Sequence, residues 1–516
     1  MKNLKMTHPR PSPSSSILSY RCASLVLGIC LLGISACDQR VADSTPPAPA
    51  PKAVEQPVAK SAPPTPPPVK ANQFEKLDAD KNGAVALEEY KARSKKPDAD
   101  ARFAKLDADK NGTVSLEEWS GTPAKTEAPA ADAAEQPVPS LAKLEALANE
   151  TTPPVVHDAT GFQADGAVKP IFFDALDWEG KPTRVFAWIG LPDGASKENP
   201  APGIVLVHGG GGTAFKDWVK EWNAEGFAAI SIAVEGQTEQ KGEPPAKWQR
   251  HEHGGPKRPG TYSDFTKPLE DQWMYHCVAD TILASNLLRS LPEVDPAKVG
   301  LMGVSWGGVI TSTVIGLDQR FAFAIPTYGC GGLHKATSHY KKHLASNTLY
   351  PILWDPNLRL EKATMPVLWF SWTGDGHFPM DSLAASSEKV SGVSVFSLVP
   401  KMGHGHSSGW TRPESYAFAK SVVQDGKPWY VPESTKIDGG TLTVVFHSTK
   451  PLDSATLTST TGTGDTSKRQ WIEAAATLKQ EGEKWIATAP VPQGTTACFI
   501  NVTSGKLVAT SDYLQP

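Results

Sequence analysis

Between about residues 155 and 432 the apolar residues come in short continuous runs. Gly203–Val207, Phe227–Ile232, Val299–Met302 and Pro366–Phe370 are four of them. Each has the length and composition of a strand buried on both faces. Stretches of helical character, such as Val278–Ser290, separate them. Buried strands alternating with helices predict a mostly parallel sheet flanked by helices. From about residue 434 the pattern changes to alternating and β-rich segments, among them Thr441–His447, Ala455–Ser459, Lys484–Ala489 and Thr496–Val502. These predict a small antiparallel β-sandwich. The chain is therefore expected to divide into a targeting segment (1–36), a Pro/Ala-rich linker (37–72), a repeat (73–120), a second linker (121–154), an α/β domain (155–432) and the sandwich (433–516).

The N-terminal segments read differently. Lys2, Lys5, Arg10 and Arg21 precede an apolar stretch over 22–36 that is too short to span a bilayer comfortably. It ends in Ile34-Ser35-Ala36-Cys37, which resembles the bacterial lipobox, so lipidation of Cys37 and anchoring without a membrane-spanning helix are expected. The expected location is the bacterial cell envelope, facing the periplasm or exterior. Pro is abundant, with 45 residues, and much of it lies near the start, as in extended spacers. The net charge of -4 and the lack of a long Lys/Arg cluster exclude nucleic acid as an expected partner. The six Cys form neither a disulfide framework nor a zinc signature. Cys277, Cys330 and Cys498 read as buried apolar side chains, with a Cys277–Cys330 bond open in an oxidising compartment.

Residues 73–120 hold one twelve-residue pattern twice. The first copy places Asp78, Asp80 and Asn82 at positions 1, 3 and 5, Gly83 at 6, Ala84 at 7 and Glu89 at 12. The second places Asp107, Asp109, Asn111, Gly112, Thr113 and Glu118 likewise. Calcium takes six to eight oxygens; three side chains, the position-7 carbonyl and a bidentate Glu supply them. The Gly permits the sharp turn, and the apolar eighth positions, Val85 and Val114, can join the loops by a β-bridge. Two EF-hand loops binding calcium are expected.

The α/β segment carries the chemistry. Gly303-Val304-Ser305-Trp306-Gly307-Gly308 follows one apolar run and precedes a small-residue helical stretch, the setting of a nucleophile elbow. His208-Gly209-Gly210-Gly211-Gly212 follows the run ending at Val207. Such a loop can bring a backbone N–H against a substrate carbonyl, so Gly209 or Gly210, with Trp306, is the expected oxyanion hole. Asp375 lies just after the Pro366–Trp372 strand and is the expected acid, with Asp381 second. His404 is the expected base, with His406 the alternative. His404 would take the Ser305 proton while Asp375 orients the imidazole. No cofactor is expected for catalysis.

Several of these segments together resemble bacterial α/β hydrolases of the acetylxylan esterase and dienelactone hydrolase type. The resemblance rests on His208–Gly212, Asp271–His276, Leu291–Asp295, Gly303–Gly308, Asp318–Phe321, Pro326–Gly331 and Trp354–Pro356. It extends to the Asp375 and His404 segments and to Arg469-Gln470-Trp471 in the appended β segment. It implies an α/β-hydrolase fold with a C-terminal small β-sandwich, to which the repeat adds an N-terminal EF-hand helical module. It also implies ester hydrolysis, often of acylated carbohydrate. Dienelactone hydrolases carry Cys at the elbow; Ser305 departs from them. Prolyl-oligopeptidase-like peptidases share the elbow and residue order, but no propeller is evident. A non-catalytic envelope lipoprotein is the third reading. The insertion at 235–275 is a candidate lid or pocket wall, with Trp248, Trp306 and Trp410 as candidate pocket aromatics and His251 and His253 as packing residues.

Overall fold

The computed structural model describes residues 77, 84–94, 98–107, 113–115, 119 and 139–516. Cys37, the segment over 1–36 and the linker over 37–72 lie outside the described residues, as do Asp78, Asp80, Asn82, Asp109, Asn111 and Glu118. The described residues fall into two units, divided between residues 131 and 132.

In the first unit β1 (Ala84–Ala86) is followed by α1 (Leu87–Ser94) and α2 (Ala99–Leu106), and β2 (Thr113–Ser115) closes the pair. β1 and β2 are antiparallel with Val85 directly opposite Val114. Both are buried, at 1% and 0% exposure, with Tyr90 and Phe103 packed edge to face beside them. This is the bridge the repeat predicts. It places the position-7 residues, Ala84 and Thr113, opposite the partner's position 9.

The second unit begins with α3 (Pro139–Ala146), β3 (Val156–Asp158), β4 (Val168–Trp178), β5 (Lys181–Gly190) and β6 (Ala201–Val207). Then come α4 (Lys216–Ala224), β7 (Ala228–Ile232), the hairpin β8 (Gln237–Lys241) and β9 (Trp248–Arg250), α5 (Trp273–Ser290), β10 (Val294–Val304) and α6 (Trp306–Ile315). The body ends with β11 (Ala324–Thr327), α7 (Tyr340–His343), β12 (Val367–Ser371), α8 (Met380–Ser387), β13 (Ser394–Leu398), α9 (His406–Trp410) and α10 (Pro413–Asp425). β7, β6, β10, β11, β12 and β13 lie side by side and parallel, with β5, β4 and β3 added antiparallel beyond β7. Residues of β6, β7, β11 and β12 are nearly all inaccessible, because helices cover both faces.

Two boundaries differ from the sequence expectation. The linker over 121–154 does not run to its end. α3 lies within it and is pinned to the body by Leu144 (0% exposed) and by the Lys362–Glu145 ion pair. The Asn286 amide also donates to the Glu150 carbonyl. Two Leu in an eight-residue stretch next to an Ala/Pro/Glu-rich run are too weak a signal to separate this helix from a linker.

The C-terminal strands are β14 (Tyr430–Asp438), β15 (Thr441–Ser448), β16 (Ser454–Thr460), β17 (Ile472–Glu481), β18 (Lys484–Pro490), β19 (Ala497–Ser504) and β20 (Leu507–Thr510). They pair antiparallel, as predicted, but do not stand apart at residue 433. β20 pairs with β13 through Phe396 and Thr510, so the antiparallel strands continue the edge of the central sheet.

Candidate active site

Four loops leave the same end of the parallel sheet: His208–Gly212 after β6, Ser305 after β10, the Asp375 loop after β12 and the His404 loop after β13. That is the end at which open α/β sheets place their sites.

Ser305 has φ +59° and ψ −117°, a conformation that an L-residue rarely adopts. Its surroundings enforce it. A Cβ on Gly303 would fall 2.0 Å from the Gly307 carbonyl oxygen, and one on Gly307 would fall 2.0 Å from the Val207 carbonyl oxygen. The elbow is thus wedged between its own helix and the neighbouring strand, and only glycine fits on either side. The Ser305 N–H donates to the Thr327 carbonyl at 2.8 Å.

His404 Nε2 lies 3.0 Å from Ser305 Oγ, and its Nδ1 lies 2.7 Å from Asp375 Oδ2. Asp375 is 1% exposed, and its other oxygen accepts from the backbone N–H groups of His377 and Phe378. These donors fix the carboxylate so that one oxygen faces the imidazole. The structure thus brings Ser305, His404 and Asp375 into one hydrogen-bonded line. Tyr328 (φ +63°) and His377 pack against the imidazole, each with ring centroids 4.6 Å away. Sequence reasoning did not single out either. A Tyr beside a Gly-Cys-Gly turn and a His two residues after the acid were the available signals.

Asp381 plays another part. Its carboxylate receives Arg469 Nη2 at 2.6 Å and the Tyr513 hydroxyl at 2.7 Å, so it ties α8 to the loops of the C-terminal β region. His406 makes a different contact. Its Nε2 accepts the Gly209 N–H at 3.0 Å. Burial and the neighbouring His208 push its pKa down to about 4.

This contact corrects one oxyanion assignment. The Gly209 N–H is committed to His406, which leaves Gly210 and Trp306 of the expected set. Gly209 has a packing role instead, since a Cβ there would fall 2.8 Å from Ser305 Cβ. His208 is also structural. It is 1% exposed, burial lowers its pKa to about 4, and its Nε2 accepts from the Val234 N–H and lies 2.9 Å from Gln237 Nε2.

The insertion forms a wall of the cleft. The Trp306 ring packs edge to face with Tyr262, Trp273 and Tyr340, and Arg258 lies over it at 5.4 Å. Trp248 donates from Nε1 to the Gly211 carbonyl and lines a neighbouring cavity. Trp410 is not a pocket residue. It is 9% exposed and stacks on Trp218 at 5.0 Å, in the core. His251 packs on Phe172, with its pKa lowered to about 4 by burial, and His253 is beside Glu252. Cys277 and Cys330 are free thiols, both buried.

For calcium, the described part of the repeat has the right framework. Glu89 follows β1 on α1, and Asp107 ends α2 with its N–H bonded to the Phe103 carbonyl. The acidic donor set suits a hard cation. Most of the expected ligands lie outside the described residues.

The chain is similar to known proteins over these same segments. Residues 99–120 match the EF hand family model. Among solved structures, an acetyl xylan esterase from Paenibacillus sp. R4 aligns at 19% identity over 52% of this chain and 88% of its own, with TM-score 0.41. Acetyl xylan esterase 1 from Thermoanaerobacterium sp. JW/SL YS485 aligns at 17% over 52% and 89%, with TM-score 0.40. Residues 170–332, from β4 through the glycine loop and the Ser305 elbow, match the acetyl xylan esterase family model, which puts a serine carboxylic ester hydrolase at the centre of this chain.

Proposed function

We propose that the protein deacylates esterified carbohydrate, with Ser305 as nucleophile, His404 as general base and Asp375 as its orienting acid. The observation that carries this reading is the continuous hydrogen-bonded line from Ser305 Oγ through His404 to Asp375. His404 would accept the Ser305 proton as the hydroxyl attacks the acyl carbon and return it to the departing sugar oxygen. The Gly210 and Trp306 N–H groups would hold the developing oxyanion. Water then releases the acid by the same route. The strained Ser305 backbone holds the hydroxyl in place before substrate arrives.

The test is turnover of 4-nitrophenyl acetate and acetylated xylan by the wild type and Ser305→Ala. A fall of about 10³-fold or more is expected. Equal rates would end the serine mechanism, and cleavage of peptides in preference to esters would end the carbohydrate assignment.

The reading includes two features of the N-terminal region. Calcium would bind the EF-hand pair through Asp78, Asp80, Asn82, Glu89 and their counterparts, as the Val85–Val114 bridge and the donor pattern support. Titration calorimetry should give heat that Asp78→Ala/Asp107→Ala abolishes; no heat in the parent chain refutes the site. Lipidation of Cys37 would hold the enzyme at the cell envelope, supported by the Ile34–Cys37 string. Processing that is insensitive to globomycin refutes the anchor.

A further inference from the structure

The cleft wall carries a charge that ester hydrolysis does not require. Arg258 Nε donates to Glu235 Oε1 at 3.2 Å, and Nη1 donates to the Gly260 carbonyl at 2.9 Å. Its guanidinium lies over the Trp306 ring. These contacts hold the planar group still and use two of its three nitrogens. The third, Nη2, faces the glycine loop: a Cβ on Gly210 would fall 2.8 Å from it. The neighbouring Gly209 has its own Cβ position 2.8 Å from Ser305 Cβ. Nη2 therefore lies against the glycine loop, one residue along it from the glycine that abuts the nucleophile, and it has no acceptor among the described residues.

The surroundings share its sign. Arg258 lines two cavities. One, of about 270 Å³, also holds Lys247, Arg250 and Lys257, with Glu235 as its single carboxylate. The other, of about 510 Å³, holds Trp306, Tyr340, His339 and His377, and no carboxylate. Lys247 and Arg250 spend donors on backbone carbonyls, of Gly211 and of Glu235, Gly254 and Gly255. Those bonds position the cations without cancelling their charge. Four cations thus face one anion in the cavity that Arg258 shares with the end of the glycine loop. An immobilised guanidinium with a free N–H edge is suited to a carboxylate.

We infer that Arg258 binds a carboxylate of the substrate next to the scissile ester, so that the preferred substrate is acidic, as an acylated uronic-acid glycan is. This rests on the proposed esterase reading. The carboxylate could belong to the sugar or to the acyl chain, and both present the same chemistry to Nη2.

Four substrates separate the possibilities: 4-nitrophenyl acetate, acetylated xylo-oligosaccharide, acetylated oligogalacturonide and mono-4-nitrophenyl succinate. The full chain is compared with Arg258→Gln and Arg258→Lys. Arg258→Gln is expected to lower kcat/KM roughly ten- to a hundredfold more on a carboxylate-bearing substrate than on the neutral ones, the range of a charged hydrogen bond. Arg258→Lys should recover part of the loss, and added salt should erode the preference of the wild type. Selective loss on the oligogalacturonide places the carboxylate on the sugar, and selective loss on the succinate places it on the acyl chain. Equal loss on all four overturns the inference while leaving the esterase reading intact. Wild-type turnover equal to that of Ser305→Ala would instead end that reading itself.

Discussion

The floor of the cleft is made by strand ends and its wall by the insertion after β7, and the two regions are filled by different chemistry. On the floor, Ser305 and the two glycines of the elbow are fixed by backbone contacts with neighbouring strands, and the buried Asp375 by backbone donors of its own loop. Few positions there can change without moving the others. The wall is held by long polar side chains, Arg250, Arg258 and Glu235, reaching to carbonyls and to each other. Such contacts tolerate substitution better and can be retuned. The floor thus fits a fixed reaction, and the wall fits the choice of what is presented to it.

The sharpest way to break that comparison lies in two histidines of one loop. His404 faces Ser305 and Asp375, whereas His406, two residues on, accepts the Gly209 N–H. A base whose conjugate acid has a pKa of about 4 takes protons poorly near neutrality, so His406 is set up to accept the Gly209 N–H and not to act as the catalytic base. His404→Gln is expected to lower kcat by about 10³-fold or more with little change in stability. His406→Ala leaves a buried N–H without its acceptor and should cost about 1–3 kcal/mol of stability, with activity reduced roughly tenfold. Steady-state kinetics and denaturant unfolding on both variants decide it. If His406→Ala is the dead one, the two roles are exchanged.

The second prediction concerns pH. Burial lowers the His208 pKa from 6.5 to about 4. Between those values the unfolded chain holds a proton on His208 that the folded chain does not. Stability is therefore greatest above about pH 6.5 and falls as pH drops toward 4, by on the order of 3 kcal/mol for this residue. His251 and His406, lowered in the same direction, steepen the loss. Unfolding free energies measured from pH 7 to pH 4 should show the decline, and His208→Gln should flatten it. A decline that is as steep in the variant would place its source in the other two histidines.

What the sequence displays and what it hides follow the same division. Strands such as Ile204–Val207 and Val299–Met302 are buried on both faces, so their composition announces them, and the loops that follow can be placed in order. Ser305, Asp375 and His404 come together because each begins where such a strand ends. The Val85–Val114 pairing was legible because a repeat fixes the register. Arg258 was not, since nothing in local spacing says that its guanidinium returns to Gly210. Nor was the loss of Gly209 as a donor, which depends on a His nearly two hundred residues away. Trp410 looks like a pocket aromatic in sequence, but a long-range partner, Trp218, takes its face. The continuity of β20 with β13 likewise depends on a pairing between distant segments, to which strand patterning is blind.

The smallest expected effect tests whether the floor is supported from outside the hydrolase body. α8 follows directly on the Asp375 loop, and three contacts hold its start to the loops of the C-terminal β region. Arg469 and Tyr513 bond Asp381, and the Thr466 hydroxyl accepts the Met380 N–H at 3.0 Å. Arg469 is almost wholly covered, with its side chain 6% exposed. Losing it leaves Asp381 with Tyr513 alone and should cost roughly 1–2 kcal/mol. If the tie also positions the acid, Arg469→Gln will lower kcat a few-fold at unchanged KM, because the line from Asp375 to Ser305 loosens without affecting binding. A fall in unfolding midpoint with kcat untouched would confine the C-terminal strands to holding the edge of the sheet. The division between a fixed floor and an adjustable wall would then lie wholly within residues 155–432.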